Sequence, residues 1–307
     1  MGFFSPALPL FFPYPPPMPA SSLVLVSIGN TRTRFARAVG GKLEPSQVLT
    51  HDHVDSVAEA IRAALAGAQA SGGDPTVAIA SVNDPIADRL ETALTRGGPE
   101  PVSVLRFGRD MPIPILNALA DDSTVGQDRL LDALGAFARS GQACIVIDAG
   151  TAVTVDFVDG EGVFQGGAIA PGLAMMFKAL HEHTAALPLV TATPELLAGV
   201  SHDFGRGVDG EEGEAGAASA NAVTPFGKDT RSAIAVGVAS SVRGLVHLLV
   251  DKYAEFYEAY PRVIATGGDA PMLFEHDPIV EAIVPDLTLI GMLAAVQKLE
   301  ELDGEEE

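Results

Sequence analysis

The residues best suited to chemistry lie in 145–154, IVIDAGTAVT. An apolar, β-branched run ends in Asp148, and Gly150, Thr151 and Thr154 follow. This pattern predicts a buried strand closed by a tight turn, with Gly150 letting backbone come close to a ligand. An acid followed by Gly-Thr at a strand end can bind a phosphate with its cation; it can equally be an ordinary turn. A second candidate, Asp128, stands in Gly126-Gln127-Asp128-Arg129 at the expected start of a helix over 125–139. The helix dipole favours an acid there, which is one reason for its presence. The other is a carboxylate placed to accept a proton from a substrate hydroxyl. Arg129 beside it could grip a carboxylate or phosphate with two N–H groups.

Glycine turns close three expected strands, at 29–31, 150–151 and 267–268. Backbone N–H groups from the first two suit a polyphosphate, and the third would let backbone pass close under a flat base. His181-Glu182-His183 and His51-Asp52-His53 are not expected to bind metal, because neighbours at i and i+2 of a helix diverge and no HExxH pattern is present. Cys144, the only cysteine, sits in an apolar run and reads as a buried, inert thiol.

The elements that must position these groups recur in order. Strands at 22–26 and 32–39 flank the first glycine turn, a meander follows to 49, and then come a helix (55–70), a strand (76–81), a helix (85–95) and a strand (102–107). After a proline-containing loop (109–123) and the helix at 125–139, the strand–turn–strand order begins again at 143, with strands at 154–158 and 162–166. A helix then opens at 171–173, followed by a long helical stretch over 229–260 (two helices, or one bent at Gly237 and Gly244), a strand at 262–265 and a closing helix from Leu289. Two copies of one unit predict an α/β protein of two related domains facing each other.

A chain of 307 residues with 47% hydrophobic content can fill such a core, and aromatics at 6% make it mostly aliphatic. The net charge of −21 argues against nucleic acid and anionic membranes as partners. No apolar run is expected to span a bilayer. Residues 1–22 are apolar but proline-rich and lack Lys and Arg, which predicts an extended, disordered leader rather than a secretory signal, with Met18 an alternative initiator. The glycine- and glutamate-rich stretch 199–224 reads as a mobile insertion, and 301–307 as a solvated acidic tail.

Taken together, SIGNTRTR (27–34), VGQDRLLDALGA (125–136), IDAGTAVTVDFV (147–158), GGAIAPGL (166–173), FGKDT (226–230) and ATGG (265–268) resemble the type III pantothenate kinases, of the acetate-and-sugar-kinase and actin superfamily. The resemblance runs from about 23 to 299. It implies two ribonuclease-H-like domains with an interdomain cleft, at 23–124 and 125–300, in a cytoplasmic homodimer. It implies transfer of the γ-phosphate of ATP to pantothenate, the first step of coenzyme A synthesis, with Mg2+ and a monovalent cation, K+ or NH4+. By motif position Asp128 resembles the catalytic proton acceptor, and Gly126, Gln127, Asp128, Arg129 and Thr230 the pantothenate contacts. Ser27, Ile28, Gly29, Asn30, Thr31, Arg32, Thr33, Arg34 and Thr151 resemble the ATP contacts, and Asp148 the monovalent-cation ligand.

The first motif departs from the family's pattern. Ser27 stands where the family has Asp, and Arg34 where Lys is common. Loss of a carboxylate beside phosphates predicts a slower enzyme, by about two to three decades in rate. The same departure motivates the alternative of a pseudokinase that binds nucleotide without turnover.

Overall fold

The computed structural model describes residues 23–51, 54–66, 75–96, 102–198 and 226–305. The expectations for 1–22, Asp52 and 199–224 lie outside these residues. Packing groups the chain into two units, one taking residues up to 144, 156–166 and from 286 onward, the other 145–155 and 167–285. The sequence repeat places a boundary at 124/125; by packing, the helix after it and the last helix both group with the first sheet.

The first sheet holds β1 (Leu23–Ile28), β2 (Arg32–Val39), β3 (Lys42–Leu43), β4 (Gln47–Thr50), β5 (Thr76–Ser81) and β6 (Ser103–Arg106). Its order is β3-β2-β1-β5-β6, with β4 also on β2. β1 runs antiparallel to β2 and parallel to β5, and β5 parallel to β6. A central strand paired on both sides is apolar throughout rather than alternating, as LVLV of β1 is. Helices α1 (Val54–Ala66) and α2 (Asp84–Arg96) pack against each other and the sheet, burying Val57, Ile61, Leu90 and Leu94 with Val24, Val26 and Ile79.

Helix α3 (Gln127–Ser140) follows the proline loop, and the long C-terminal helix, Leu287–Glu305, packs along it. The two approach at Gly135 and Gly291, where an added Cβ would meet Gly291 N at 2.8 Å and Leu131 O at 1.8 Å respectively. Only glycine permits this backbone contact, which fixes α3, and hence Asp128, against the last helix. Thr288 Oγ1 donates to buried Asp132 at 2.7 Å across the same seam. The last helix starts two residues before the expected Leu289 and carries helical backbone through 301–305 of the expected tail.

The second sheet repeats the order of the first. β7 (Cys144–Ala149), β8 (Ala152–Val158), β9 (Phe164–Pro171), β10 (Arg262–Thr266) and β11 (Ala282–Ile283) lie as β11-β10-β7-β8-β9. Around it are α4 (Leu173–Glu182), α5 (Pro194–Ala198), α6 (Thr230–Tyr257) and α7 (Ala270–Phe274), so that the C-terminal helix is α8. Among these, α5, α7 and β11 are too short to carry a readable period. α6 is one helix of 28 residues. Its start is fixed by a capping box in which Asp229 accepts from Ser232 N at 2.9 Å.

α6 also corrects the expectation about membranes. By length and a mean hydropathy of 1.8 over its most apolar 18 residues, it is able to cross one. Its small residues raise hydropathy without making a long run of large apolar side chains. Ile234, Val238, Val242, Val246 and Val250 are buried, an i, i+4 stripe that packs as a core helix does.

Candidate active site

Each unit carries its own group of site residues. In the first, β1 ends at Ile28, whose carbonyl accepts from Val82 N at 3.1 Å just past β5. The chain reverses through a turn closed by Gly29 N to Arg32 O at 3.0 Å, leaving Asn30, Thr31 and Arg32 exposed. Ser27 is part-buried in β1 between Arg34 and Ala80. Two residues expected to meet ATP are turned elsewhere. Thr33 is fully buried in β2. Arg34 donates to Asp286 Oδ1 at 2.6 Å and to Ser46 Oγ at 3.2 Å, and Ser46 Oγ also donates to Asp286 at 2.7 Å. The Arg34 charge is thus committed to the start of α8.

The start of α3 joins the same strand ends. Gln127 Oε1 accepts from Ser81 N at 3.1 Å, and its Nε2 donates to Phe107 O at 2.8 Å. This amide, expected to touch substrate, ties α3 to the ends of β5 and β6. Asp128 folds back over the helix start, accepting from Arg129 N at 2.8 Å. A Cβ on Gly126 would lie 2.5 Å from Asp128 Oδ1, so glycine leaves the space that the carboxylate occupies. Burial pushes the Asp128 carboxyl above its ordinary value and Asp156 adds to the rise, while the Arg129 amide and guanidinium oppose it. A base held above the usual carboxylate range is better matched to a proton of an alcohol.

Arg129, expected as a two-toothed grip for an anion, pairs with a carboxylate of the protein. Its Nε lies 3.0 and 3.1 Å from the two oxygens of Asp156, and Nη2 also donates to Oδ1. Its guanidinium carbon lies 5.5 Å from the centroid of the Phe164 ring. The Asp156 side chain is 2% exposed. It was missed in the sequence; the signal was an acid inside TVDFV, a run otherwise suited to a strand interior.

In the second unit, Asp148 closes β7 and Gly150 N donates to Ala152 O at 2.9 Å, leaving Thr151 exposed at the tip. Two other glycines clasp this turn. A Cβ on Gly172 would lie 2.1 Å from Gly150 O, and Gly172 N donates to Thr151 O at 3.1 Å. Gly267 has φ +93°, and its Cβ would lie 2.3 Å from Ala149 O and 2.4 Å from Asp148 Oδ1. Expected under a flat base, Gly267 instead lets the chain pass against Asp148 and Ala149, where Asp269 N donates to Ala149 O at 2.9 Å. Thr230 is exposed on the first turn of α6.

Among the described residues no group of three or more His, Cys, Asp or Glu is placed to hold a metal ion. His181 Nδ1 lies 2.9 Å from Leu187 O. Cys144 is buried, and burial pushes its thiol up to about 11, which suits an inert role.

A sequence profile described as Type III pantothenate kinase matches residues 23–252. The type III pantothenate kinase of Rubrobacter xylanophilus is 32% identical over 283 residues, 88% of this chain and 95% of that protein. That of Desulfosudis oleivorans is 29% identical over 282 residues, 88% and 96% of the two chains. The Fervidobacterium nodosum protein of the same description is 36% identical over 169 residues, so the match spans about half its length, 55%. Among solved structures, one described as a Baf family transcriptional activator from Campylobacter jejuni has a TM-score of 0.53 at 18% identity, covering 92% of this chain and 99% of that one. Component A of (R)-2-hydroxyglutaryl-CoA dehydratase from Acidaminococcus fermentans has a TM-score of 0.50 at 14% identity, covering 92% and 98%. At such identities the structural likeness shows the fold alone.

Proposed function

The chain belongs to the type III pantothenate kinase family, and from that premise we propose that it uses ATP to phosphorylate pantothenate, giving 4′-phosphopantothenate, the first step of coenzyme A synthesis. The observation that carries this reading is Asp128, a carboxylate at the start of α3 with its pKa raised by burial and its backbone fixed by the Gln127 amide. Asp128 takes the proton of the terminal hydroxyl as that oxygen bonds to the γ-phosphorus, and the bridging oxygen leaves with ADP. Phosphoryl transfer asks little more of a protein than positioning and charge neutralisation. Asn30, Thr31 and Arg32 from one turn and Thr151 from the other offer donors to the phosphates. Thr230, at the start of α6, is assigned to pantothenate.

The family implies a divalent metal with the nucleotide. Magnesium takes one or two carboxylates at most and completes its shell with phosphates and water, so the nucleotide's own phosphates would supply much of its coordination. Such an ion neutralises phosphate charge when bound. A monovalent cation, K+ or NH4+, is assigned to Asp148 at the end of β7, and the protein is assigned to the cytoplasm as a homodimer, a state that sedimentation tests directly. The three sequence relatives reported above are described as kinases and lend no support to a pseudokinase.

The test is turnover of ATP and pantothenate in Mg2+ and K+ by the wild type and by Asp128→Asn. A loss of at least about a hundredfold in the variant is expected. Equal rates reject Asp128 as the base, and no phosphopantothenate from the wild type rejects the activity.

A further inference from the structure

Arg243 is the largest fully buried side chain of the described residues, and no step above uses it. It projects from the middle of α6. Its Nε donates to Leu273 O at 2.8 Å and its Nη2 to Met272 O at 3.4 Å, while Nη1 is buried with no hydrogen-bond partner among the described residues. One helical turn later, His247 Nε2 lies 2.9 and 3.0 Å from the two oxygens of Asp277, which is 4% exposed and also accepts from Ile279 N at 3.2 Å. α6 therefore holds the segment 272–279 at two successive turns.

That segment leads back to the phosphate turn. Met272 and Leu273 belong to α7, a helix of five residues. So short a helix does not sustain itself, and its last carbonyls need partners from outside. Arg243 supplies them. At its other end α7 grows out of Gly267–Asp269, which rests on Asp148 and Ala149 through the Gly267 contact and the Asp269 N to Ala149 O bond of 2.9 Å. α7 is thus a strut from α6 to the Asp148 turn. A guanidinium is a costly choice for a core position. Burial disfavours its charge, and the attraction of Asp277 only partly offsets this. A Met or Leu would fill the space at less cost but could not donate to the two carbonyls.

We propose that Arg243 is a positioning residue for nucleotide binding: by clamping the end of α7 it sets the Gly267–Asp269 turn against Asp148 and Ala149, and so the shape of the turn that meets the phosphates. This rests on the assignment of the Asp148–Thr151 turn to ATP.

Full-length Arg243→Met and Arg243→Lys test it. Thermal unfolding establishes that each is folded, and steady-state kinetics give KM for each substrate. Folded Arg243→Met should raise KM for ATP by roughly tenfold, with KM for pantothenate within about twofold, and Arg243→Lys, able to reach one carbonyl, should recover part of the loss. A wild-type KM for ATP in folded Arg243→Met, or equal rises in both KM values, overturns the proposal. If Arg243→Met does not fold, hydrogen exchange on the wild type decides. Amides of 267–274 should gain protection when ADP is added, and no gain overturns the proposal. Calorimetry with ADP separates this from the activity itself. If the wild type makes no phosphopantothenate, a weaker ADP affinity in Arg243→Lys still supports the clamp, and an unchanged one rejects it.

Discussion

Arg129 places Nε within 3.1 Å of both oxygens of Asp156, a carboxylate that is 2% exposed. The pair fixes the residue that follows Asp128, and it also sets the charge around the Asp128 carboxylate. Asp156 raises the Asp128 pKa, whereas the Arg129 guanidinium lowers it.

Asp156→Asn should therefore act on both stability and pH dependence. Removing one partner of a buried pair leaves Arg129 uncompensated, at a cost of about 3 kcal/mol. Removing the negative charge also makes Asp128 easier to ionise, so the acidic limb of the kcat/KM profile should move to lower pH. Chemical denaturation and a pH–rate profile measure the two effects. An acidic limb that moves upward contradicts the assignment of that limb to Asp128.

Asp128→Asn should separate catalysis from stability. The folded pKa of Asp128 is raised above its ordinary 3.8, so the native state binds this proton more tightly than the unfolded chain does. The stabilisation from its neutral form is full below that ordinary value and is lost as pH rises through the raised one. Above the raised value the wild type carries a buried charge that the amide lacks. Turnover should fall by at least about a hundredfold while Tm at pH 7 stays level or rises. A large drop in Tm would mean that the carboxylate is structural.

Gly172→Ala should damage the Gly150–Thr151 turn directly. The new Cβ would lie 2.1 Å from Gly150 O and 2.6 Å from Thr151 O, both backbone atoms with little freedom to move. A loss of about 3 kcal/mol is expected, with weaker ATP binding in what remains folded. Calorimetric unfolding and ATP titration check this, and a Tm within about a degree of wild type would show that the clasp is loose.

Ser27→Asp should raise turnover. Ser27 lies at the end of β1 with its neighbour Ile28 bonded through O to Val82 N. A carboxylate there supplies the charge that the resemblance implies at this position, worth at least about tenfold in kcat if it assists phosphate and cation binding. Parallel assays of the two proteins at saturating ATP decide it, and an equal or lower rate in the variant shows that serine costs this chain nothing.

Arg34→Ala distinguishes the two roles given to that residue. Its bond of 2.6 Å to Asp286 predicts a lower Tm with KM for ATP unchanged. A selective rise in KM for ATP would return Arg34 to the phosphates.

Local patterning determined a good deal. Short apolar runs marked β1 and β5, and helical spacing marked α1 and α2, because a strand covered on both faces is apolar throughout and a helix that buries one face repeats its apolar residues with the backbone. The repeated strand–turn–strand order announced two similar sheets, and both have the order found for the first. Gly29 and Gly150 stood out because each follows an apolar run, and Asp128 because it is an acid at a helix start. Only the tertiary structure decided where the polar side chains go. Arg34 and Asp286 are 252 residues apart, Arg243 and Leu273 lie on different helices, and Gln127 spends its amide on two strand ends. A buried charge or amide takes whichever partner the fold brings within about 3 Å, and that partner leaves no periodic trace in the chain. Glycine is ambiguous for the same reason. Gly267 lies against Asp148 and Ala149, and only the neighbouring atoms show that contact.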